Sequence, residues 1–239
     1  MGSSAMKRSS GWGELGGFGR GLLQRRSSAA HGPSQWTASL PDGQWVELDG
    51  GRKAFVRNQS GPPDAVPVLL LHGWRWSMDL NFVDVFPRLA DSHSVVALDQ
   101  RGHGHSPRSA STFDIADLAD DAIDVLNALG IRRAVVCGFS LGGIVGLQLA
   151  LRHPDRVAGL AGAAVRRHDL RGRVAGLREL PTSMLVTSRD TVCLPWLQHQ
   201  LADQIGARIV ELDEDHLAPI THPEQYAAAA IESIRLASL

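Results

Sequence analysis

Several features that would assign this chain to a special class are scarce or absent. The 239 residues include two cysteines, too few for a disulfide framework. A formal net charge of −1 gives no general attraction to nucleic acid or to an anionic membrane. No apolar run approaches the ~18 residues of a membrane span, and the N-terminus lacks the apolar core of a secretory signal. The sequence therefore predicts a protein of the reducing cytoplasm, with no stable membrane insertion.

The N-terminal part differs in composition from the rest of the chain. Residues 1–36 are rich in Gly, Ser and Arg, and their repeated glycines interrupt any helical pattern. We predict a flexible extension there. The chain as a whole is 44% hydrophobic, so residues 37–239 can bury the core of one large domain.

Strand-like and helix-like segments alternate along this domain. A β-hairpin is predicted around residues 45–57, and apolar strands follow at 66–71, 94–98, 184–188 and 208–212. Helical patterns cover 78–90, shortened or bent by its proline, and 115–129, 143–153 and 223–236, the last with Thr221 as its N-cap. This alternation predicts an α/β fold, with a mostly parallel twisted sheet and helices on both faces.

One stretch carries a chemical signature. Gly138-Phe139-Ser140-Leu141-Gly142 lies between an apolar strand and an apolar helix, the context that a Gly-x-Ser-x-Gly nucleophile elbow requires. A serine on such a sharp turn is held in a strained backbone conformation. Gly138 and Gly142 then come too close to their neighbours to carry a Cβ atom. The pattern predicts that Ser140 is a nucleophile.

Further motifs show a resemblance to a known family. HGW at residues 72–74, DQRGHGHS at 99–106, GFSLGG at 138–143 and a late Asp-then-His pair resemble the α/β-hydrolase family, as a serine esterase-like or lipase-like member. The resemblance covers roughly residues 36–239. In this family the catalytic triad follows the chain order Ser, acid, His, each residue after a strand. Carried over, the resemblance implies Ser140, Asp190 and His216.

Other residues compete for two of these roles. Asp213 or Asp215 could serve as the acid, and His222 as the base. They fit less well, because the two aspartates share the loop of the predicted histidine and His222 adjoins the start of a helix. Asp190 could also simply cap its own loop.

The resemblance also implies an oxyanion hole. Its donors would be the backbone N–H groups of Leu141 and Trp74, while His72 would orient the loop. Arg75 and Trp76 would line the acyl pocket or merely pack beside it.

The chain departs from the family in one respect. Members commonly carry a helical cap between the strand after the elbow and the strand before the acid. Here residues 165–183 leave room for about one helix, and the preceding stretch 157–165 is mostly Ala and Gly, poor strand formers. We predict that the cap is absent or minimal.

These observations predict a serine hydrolase that acts on small-molecule carboxylic esters through an acyl-enzyme on Ser140. No metal or organic cofactor is expected. A serine nucleophile argues against the haloalkane dehalogenases and epoxide hydrolases of the family, which use aspartate. Two alternatives stay open: another serine-dependent reaction, such as C–C bond hydrolysis or perhydrolysis, and a catalytically weak ligand-binding protein without its lid.

Overall fold

The computed structural model describes residues 39–108, 112–165 and 174–239. The predicted flexible extension at 1–36 lies outside these ranges, as do residues 166–173 in the stretch where a cap would be inserted.

The described residues form one eight-stranded sheet. Its strands are β1 Gly43–Leu48, β2 Arg52–Gln59, β3 Val68–Leu71, β4 Val95–Asp99, β5 Ala134–Phe139, β6 Val157–Ala163, β7 Thr182–Thr187 and β8 Arg208–Leu212. They lie in the order β1-β2-β4-β3-β5-β6-β7-β8. The pairs β1–β2 and β2–β4 are antiparallel and the remaining neighbours are parallel. The predicted hairpin and the mostly parallel sheet are both present.

Helices connect the parallel strands. In the described ranges these are α1 Met78–Phe82, α2 Phe86–Ala90, α3 Ile115–Ala128, α4 Leu141–Arg152 and α5 Pro195–Ile205. Two more, α6 Ala218–Thr221 and α7 Pro223–Ala237, follow the last strand. The predicted helix at 78–90 is thus two short helices, with Pro87 in the first turn of the second. None of the helices in the described ranges has the length and apolar character needed to span a membrane.

The sheet has a buried core on each face. Leu69 and Leu71 of β3 pack in a cluster with residues of α3, α4 and α5. Val68 and Leu70, which point the opposite way, pack with residues of α1, α2 and α7. All four side chains are fully buried, because a strand that is covered on both faces has no solvent side.

The close packing around strand β6 accounts for its unusual composition. It pairs with β5 along most of its length and with β7 from Leu160 to Ala163, although its sequence is mostly Ala and Gly. A Cβ atom on Gly159 would run into the backbone carbonyl of Ala237 at the end of α7. Gly162 similarly makes room for the Met184 side chain. The small residues allow close packing against this strand, which outweighs their poor strand propensity.

The prediction that Thr221 caps the last helix is wrong. Thr221 instead ends the short helix α6, and its hydroxyl donates to the carbonyl of Leu217 at 3.2 Å. The residue before α7 is His222, which makes no side-chain capping bond. Pro223 opens α7, and its missing N–H reduces the number of donors that need a cap.

Candidate active site

Ser140 lies on the turn between β5 and α4, at the carboxyl edge of the sheet. Its backbone has φ 53° and ψ −111°, in the region that L-residues rarely adopt. A hydrogen bond to β6 stabilises this strained conformation, because the Ser140 N–H donates to the carbonyl of Ala163 at 2.8 Å. The backbone is therefore fixed in the conformation expected of a nucleophile elbow.

The two glycines of the elbow are required by their surroundings. A Cβ atom on Gly138 would overlap the carbonyl of Gly142, well inside van der Waals contact. A Cβ on Gly142 would likewise overlap the carbonyl of Leu71 at the end of β3. Both obstacles are backbone atoms, which cannot rotate away. The crowding expected from the sequence is present at both positions.

The loops after β7 and β8 bring Asp190 and His216 together. Nδ1 of His216 lies 2.8 Å from Oδ2 of Asp190. The carboxylate is completely buried and the imidazole side chain is 15% exposed. With Nδ1 held by the carboxylate, Nε2 is left as the nitrogen that can accept a proton.

Three further groups fix the Asp190 carboxylate. The hydroxyl of Thr187 donates to Oδ2, and the backbone N–H groups of Val192 and Cys193 donate to Oδ1, each at 2.8 Å. Burial alone would raise the pKa of Asp190. The hydrogen bond and charge of His216, with the Cys193 amide and the Thr187 hydroxyl, outweigh burial and hold that pKa below its ordinary value.

A buried glutamine, which no pattern in the sequence indicated, supports the groups that hold Asp190. Gln198 on α5 is fully buried, and its amide donates to the Thr187 hydroxyl at 3.1 Å and to the Cys193 carbonyl. Its own carbonyl accepts from the Thr187 N–H at 3.3 Å. Gln198 therefore ties the end of β7 to the loop that carries Asp190. Its spacing of eight residues from Asp190 gave no signal for this role.

Aromatic rings connect the elbow to the histidine. The Phe139 ring lies 5.0 Å from the His216 ring, 5.2 Å from Trp76 and 5.8 Å from Tyr226. Trp76, expected to line the acyl pocket or pack beside it, thus packs on Phe139 next to the candidate site. Phe139 directly precedes Ser140, so the stack places His216 over the elbow.

The loop after β3 is held by buried polar contacts. His72 is fully buried; its Nδ1 lies 2.7 Å from the Gly73 carbonyl, and its Nε2 accepts from the Gln100 N–H at 3.0 Å. The Gly73 N–H donates to Oδ1 of Asn81 at 2.9 Å. Burial lowers the pKa of His72 to about 4, so the ring is neutral with its proton on Nδ1. His72 therefore lies where the predicted loop-orienting residue should lie. Asn81, which the sequence did not indicate, also holds this loop.

The two residues expected at the oxyanion hole belong to the segments that meet at Ser140. Leu141 is the first residue of α4, where N–H groups have no partner within the helix. Trp74 follows Gly73, where an added Cβ atom would lie 3.6 Å from the Ser140 Cβ. Arg75 is exposed, has a φ of 63°, and holds its guanidinium 5.6 Å from the Trp74 ring centre.

The competing residues have partners other than the Asp190–His216 pair. Asp213 is strongly exposed and accepts from the Ser188 hydroxyl, while Asp215 accepts from the Leu217 N–H in its own turn. His222 pairs with Glu214 at 2.9 Å. Each has a local partner of its own.

Ser140 and His216 are both described, and no hydrogen bond joins them in this structure. Hydrogen bonds between catalytic groups are often long in unliganded sites and tighten when substrate binds. The structure therefore gives an oriented Asp–His pair and a strained serine that is not hydrogen-bonded to His216.

Comparison with known proteins agrees with this geometry. The model of the alpha/beta hydrolase fold matches residues 66–180, which include Ser140. The chain has the α/β-hydrolase fold. Among sequence relatives, a pimeloyl-[acyl-carrier protein] methyl ester esterase of Neisseria meningitidis is 43% identical over 105 residues, which are 44% of this chain and 38% of that protein.

Other relatives have different names. Epoxide hydrolase A of Mycobacterium tuberculosis is 35% identical over 128 residues, which are 52% of this chain and 39% of that protein. These matches span less than half of each relative's length. Among solved structures, a hydrolase from Pseudomonas aeruginosa superposes with a TM-score of 0.69 at 21% identity, covering 81% of this chain and 98% of that one. The chain thus resembles proteins of more than one named activity.

Proposed function

We propose that the protein is a serine hydrolase of small-molecule carboxylic esters, with Ser140, Asp190 and His216 as its triad. The observation that carries the proposal is the 2.8 Å contact between His216 Nδ1 and the buried Asp190, on loops beside the strained Ser140. An ordinary serine hydroxyl is a weak nucleophile, and a neighbouring oriented base activates it. The esterase name of the Neisseria relative agrees with this chemistry.

The reaction would proceed through an acyl-enzyme. Nε2 of His216 takes the proton of Ser140 while Oγ attacks the ester carbonyl, and Asp190 stabilises the imidazolium that forms. The backbone N–H groups of Leu141 and Trp74 donate to the developing oxyanion. His216 then passes the proton to the leaving alcohol, and a water molecule activated by the same histidine releases the acid. These steps need no metal or organic cofactor.

A ligand-binding protein without turnover is the second candidate. The observation that favours it is the lack of a hydrogen bond between Ser140 and His216. Such a protein would keep the triad residues but would form no acyl-enzyme.

Substitution of the nucleophile separates the two. We expect Ser140→Ala to abolish hydrolysis of p-nitrophenyl acetate while thermal unfolding stays cooperative. An active and folded Ser140→Ala variant would refute the proposal. A wild-type protein that binds esters without hydrolysing any would favour the binding protein.

A further inference from the structure

Beside the Asp190–His216 pair lies a third side chain that the proposed reaction does not use. The thiol of Cys193 belongs to the same loop as Asp190. One ligand atom each from Asp190, Cys193 and His216 lie within 4.8 Å of one another. Within the described ranges, no other group of three acidic, cysteine or histidine side chains has ligand atoms this close together.

The loop holds Cys193 in this position through its backbone. The Cys193 N–H donates to Oδ1 of Asp190 at 2.8 Å, and its carbonyl accepts from the buried amide of Gln198. The residue is 3% exposed, and neither cysteine of the chain is in a disulfide. These backbone contacts help to hold the sulfur beside the pair.

The three atoms suit a particular kind of cation. A carboxylate oxygen, a thiolate sulfur and an imidazole nitrogen are the ligand types of zinc, which often takes three protein ligands and leaves a fourth position open. Tetrahedral zinc with bonds of 2.0 to 2.3 Å holds its ligands roughly 3.3 to 3.6 Å apart. Nδ1 and Oδ2, now at 2.8 Å, would separate by about 0.5 Å to admit the ion. From a separation of at most 4.8 Å, the sulfur would approach by about 1.2 Å at most, within reach of side-chain rotation.

We propose that Asp190, Cys193 and His216 form an inhibitory site for zinc and similar thiophilic divalent cations. The ion binds the Nδ1 lone pair of the neutral His216 imidazole, whose one proton moves to Nε2, and it replaces the thiol proton of Cys193, which passes to the buffer. The metal then holds the imidazole by the nitrogen through which Asp190 orients it. The histidine can no longer become an imidazolium that Asp190 stabilises, so proton transfer from Ser140 stops. This inference rests on the proposed function, because inhibition presupposes a reaction that uses the pair.

Metal binding can be measured without any substrate. Cobalt(II) is added to the full-length protein under nitrogen with a non-thiol reductant, and the thiolate-to-cobalt charge-transfer band is recorded; zinc is then added to displace cobalt. Cys137→Ala is the matched control, because Cys137 lies in the core of β5 and outside the cluster. We expect a band that saturates at one cobalt per chain in the wild type and in Cys137→Ala. Cys193→Ala and His216→Ala should lose it, with zinc affinity reduced by about 100-fold or more.

The activity arm uses each protein's own zinc-free rate as its reference. Wild type and Cys137→Ala should lose ester hydrolysis over the zinc range that displaces cobalt, and a chelator should restore it. Cys193→Ala should need about 100-fold more zinc for the same fractional loss. If Cys193→Ala does not fold, Cys193→Ser replaces it in both arms.

Several results would overturn the proposal. They are a wild type without the cobalt band, a band that survives Cys193→Ala, and a Cys193→Ala variant that zinc inhibits at wild-type concentrations. A site that binds metal while hydrolysis continues would overturn its inhibitory role. Should the protein hydrolyse no ester at all, the cobalt band still reports the site, so the proposed function can fail separately.

Discussion

The Nδ1 atom of His216 lies 2.8 Å from Oδ2 of Asp190, across the gap between the loops that follow β7 and β8. The carboxylate also accepts from the Thr187 hydroxyl and from two backbone N–H groups. These three hydrogen bonds hold its position independently of the histidine. The contact fixes which imidazole nitrogen carries the proton. The parallel strands end at one edge of the sheet and bring the two loops together. The resulting contact leaves Nε2 of His216 as the nitrogen that can accept a proton.

The first prediction concerns this pair. Asp190→Asn keeps an acceptor for the Val192 and Cys193 amides, but it presents an amide to Nδ1 and favours the wrong tautomer. We expect kcat for ester hydrolysis to fall by about 10⁴, as in the serine-protease case, with little change in melting temperature. Asp213→Asn is the control, because Asp213 is exposed and contacts Ser188 and Arg189 instead. A large loss of rate in Asp213→Asn, and none in Asp190→Asn, would show that the acid is misassigned.

A second prediction tests the crowding at the elbow. Gly142→Ala places a Cβ atom on the backbone carbonyl of Leu71, which can move only with β3. We expect a loss of about 1–3 kcal/mol of unfolding free energy, or a failure to fold. Gly176→Ala is the matched control, because a Cβ there meets no atom within 4 Å. Urea unfolding of both variants gives the comparison, and equal stabilities would contradict the described elbow packing.

A third prediction follows from the buried His72. Burial lowers its pKa to about 4, while the unfolded chain has the ordinary value near 6.5. Between these values the unfolded state binds more protons than the folded state, so stability falls as pH drops below about 6.5 and levels off below about 4. The expected contribution is about 1.4 kcal/mol per pH unit, or roughly 2 kcal/mol between pH 7 and pH 5.

His72→Gln isolates this contribution. Glutamine does not titrate, and its side-chain carbonyl can accept from the Gln100 N–H in place of Nε2. Urea midpoints of wild type and variant are measured at pH 7, 6 and 5. The wild type should lose more stability than the variant over this range. Parallel pH profiles would show that His72 does not titrate as described.

Much of the fold and part of the site could be predicted from local patterns. The strand–Gly-x-Ser-x-Gly–helix pattern predicts the sharp turn at Ser140, because the strained backbone and the two glycines are local requirements of that turn. Asp190 and His216 carry no such local signal. They were predicted from the family's chain order, and the structure brings these two together while Asp213 and His222 have other partners.

The supporting residues could not be predicted. Gln198, Asn81 and Cys193 become neighbours of the site only when separate loops and helices pack, and no spacing in the sequence encodes that packing. Thr221 was predicted incorrectly from a local preference: threonine is favoured at helix starts, so it was assigned as the N-cap of α7. Its hydroxyl bonds backward to Leu217 because a short helix ends there. The Ala/Gly content of β6 was a similar case, in which close packing outweighed local propensity.

The most direct test of the central claim is covalent labelling of the nucleophile. Wild-type protein is treated with a fluorophosphonate probe, digested, and the modified residue is located by mass spectrometry. The account predicts one labelled residue, Ser140, with labelling abolished in Ser140→Ala and much slower in Asp190→Asn. Folded wild-type protein that takes up no probe, or carries it on another residue, would contradict the assignment of Ser140 as an activated nucleophile.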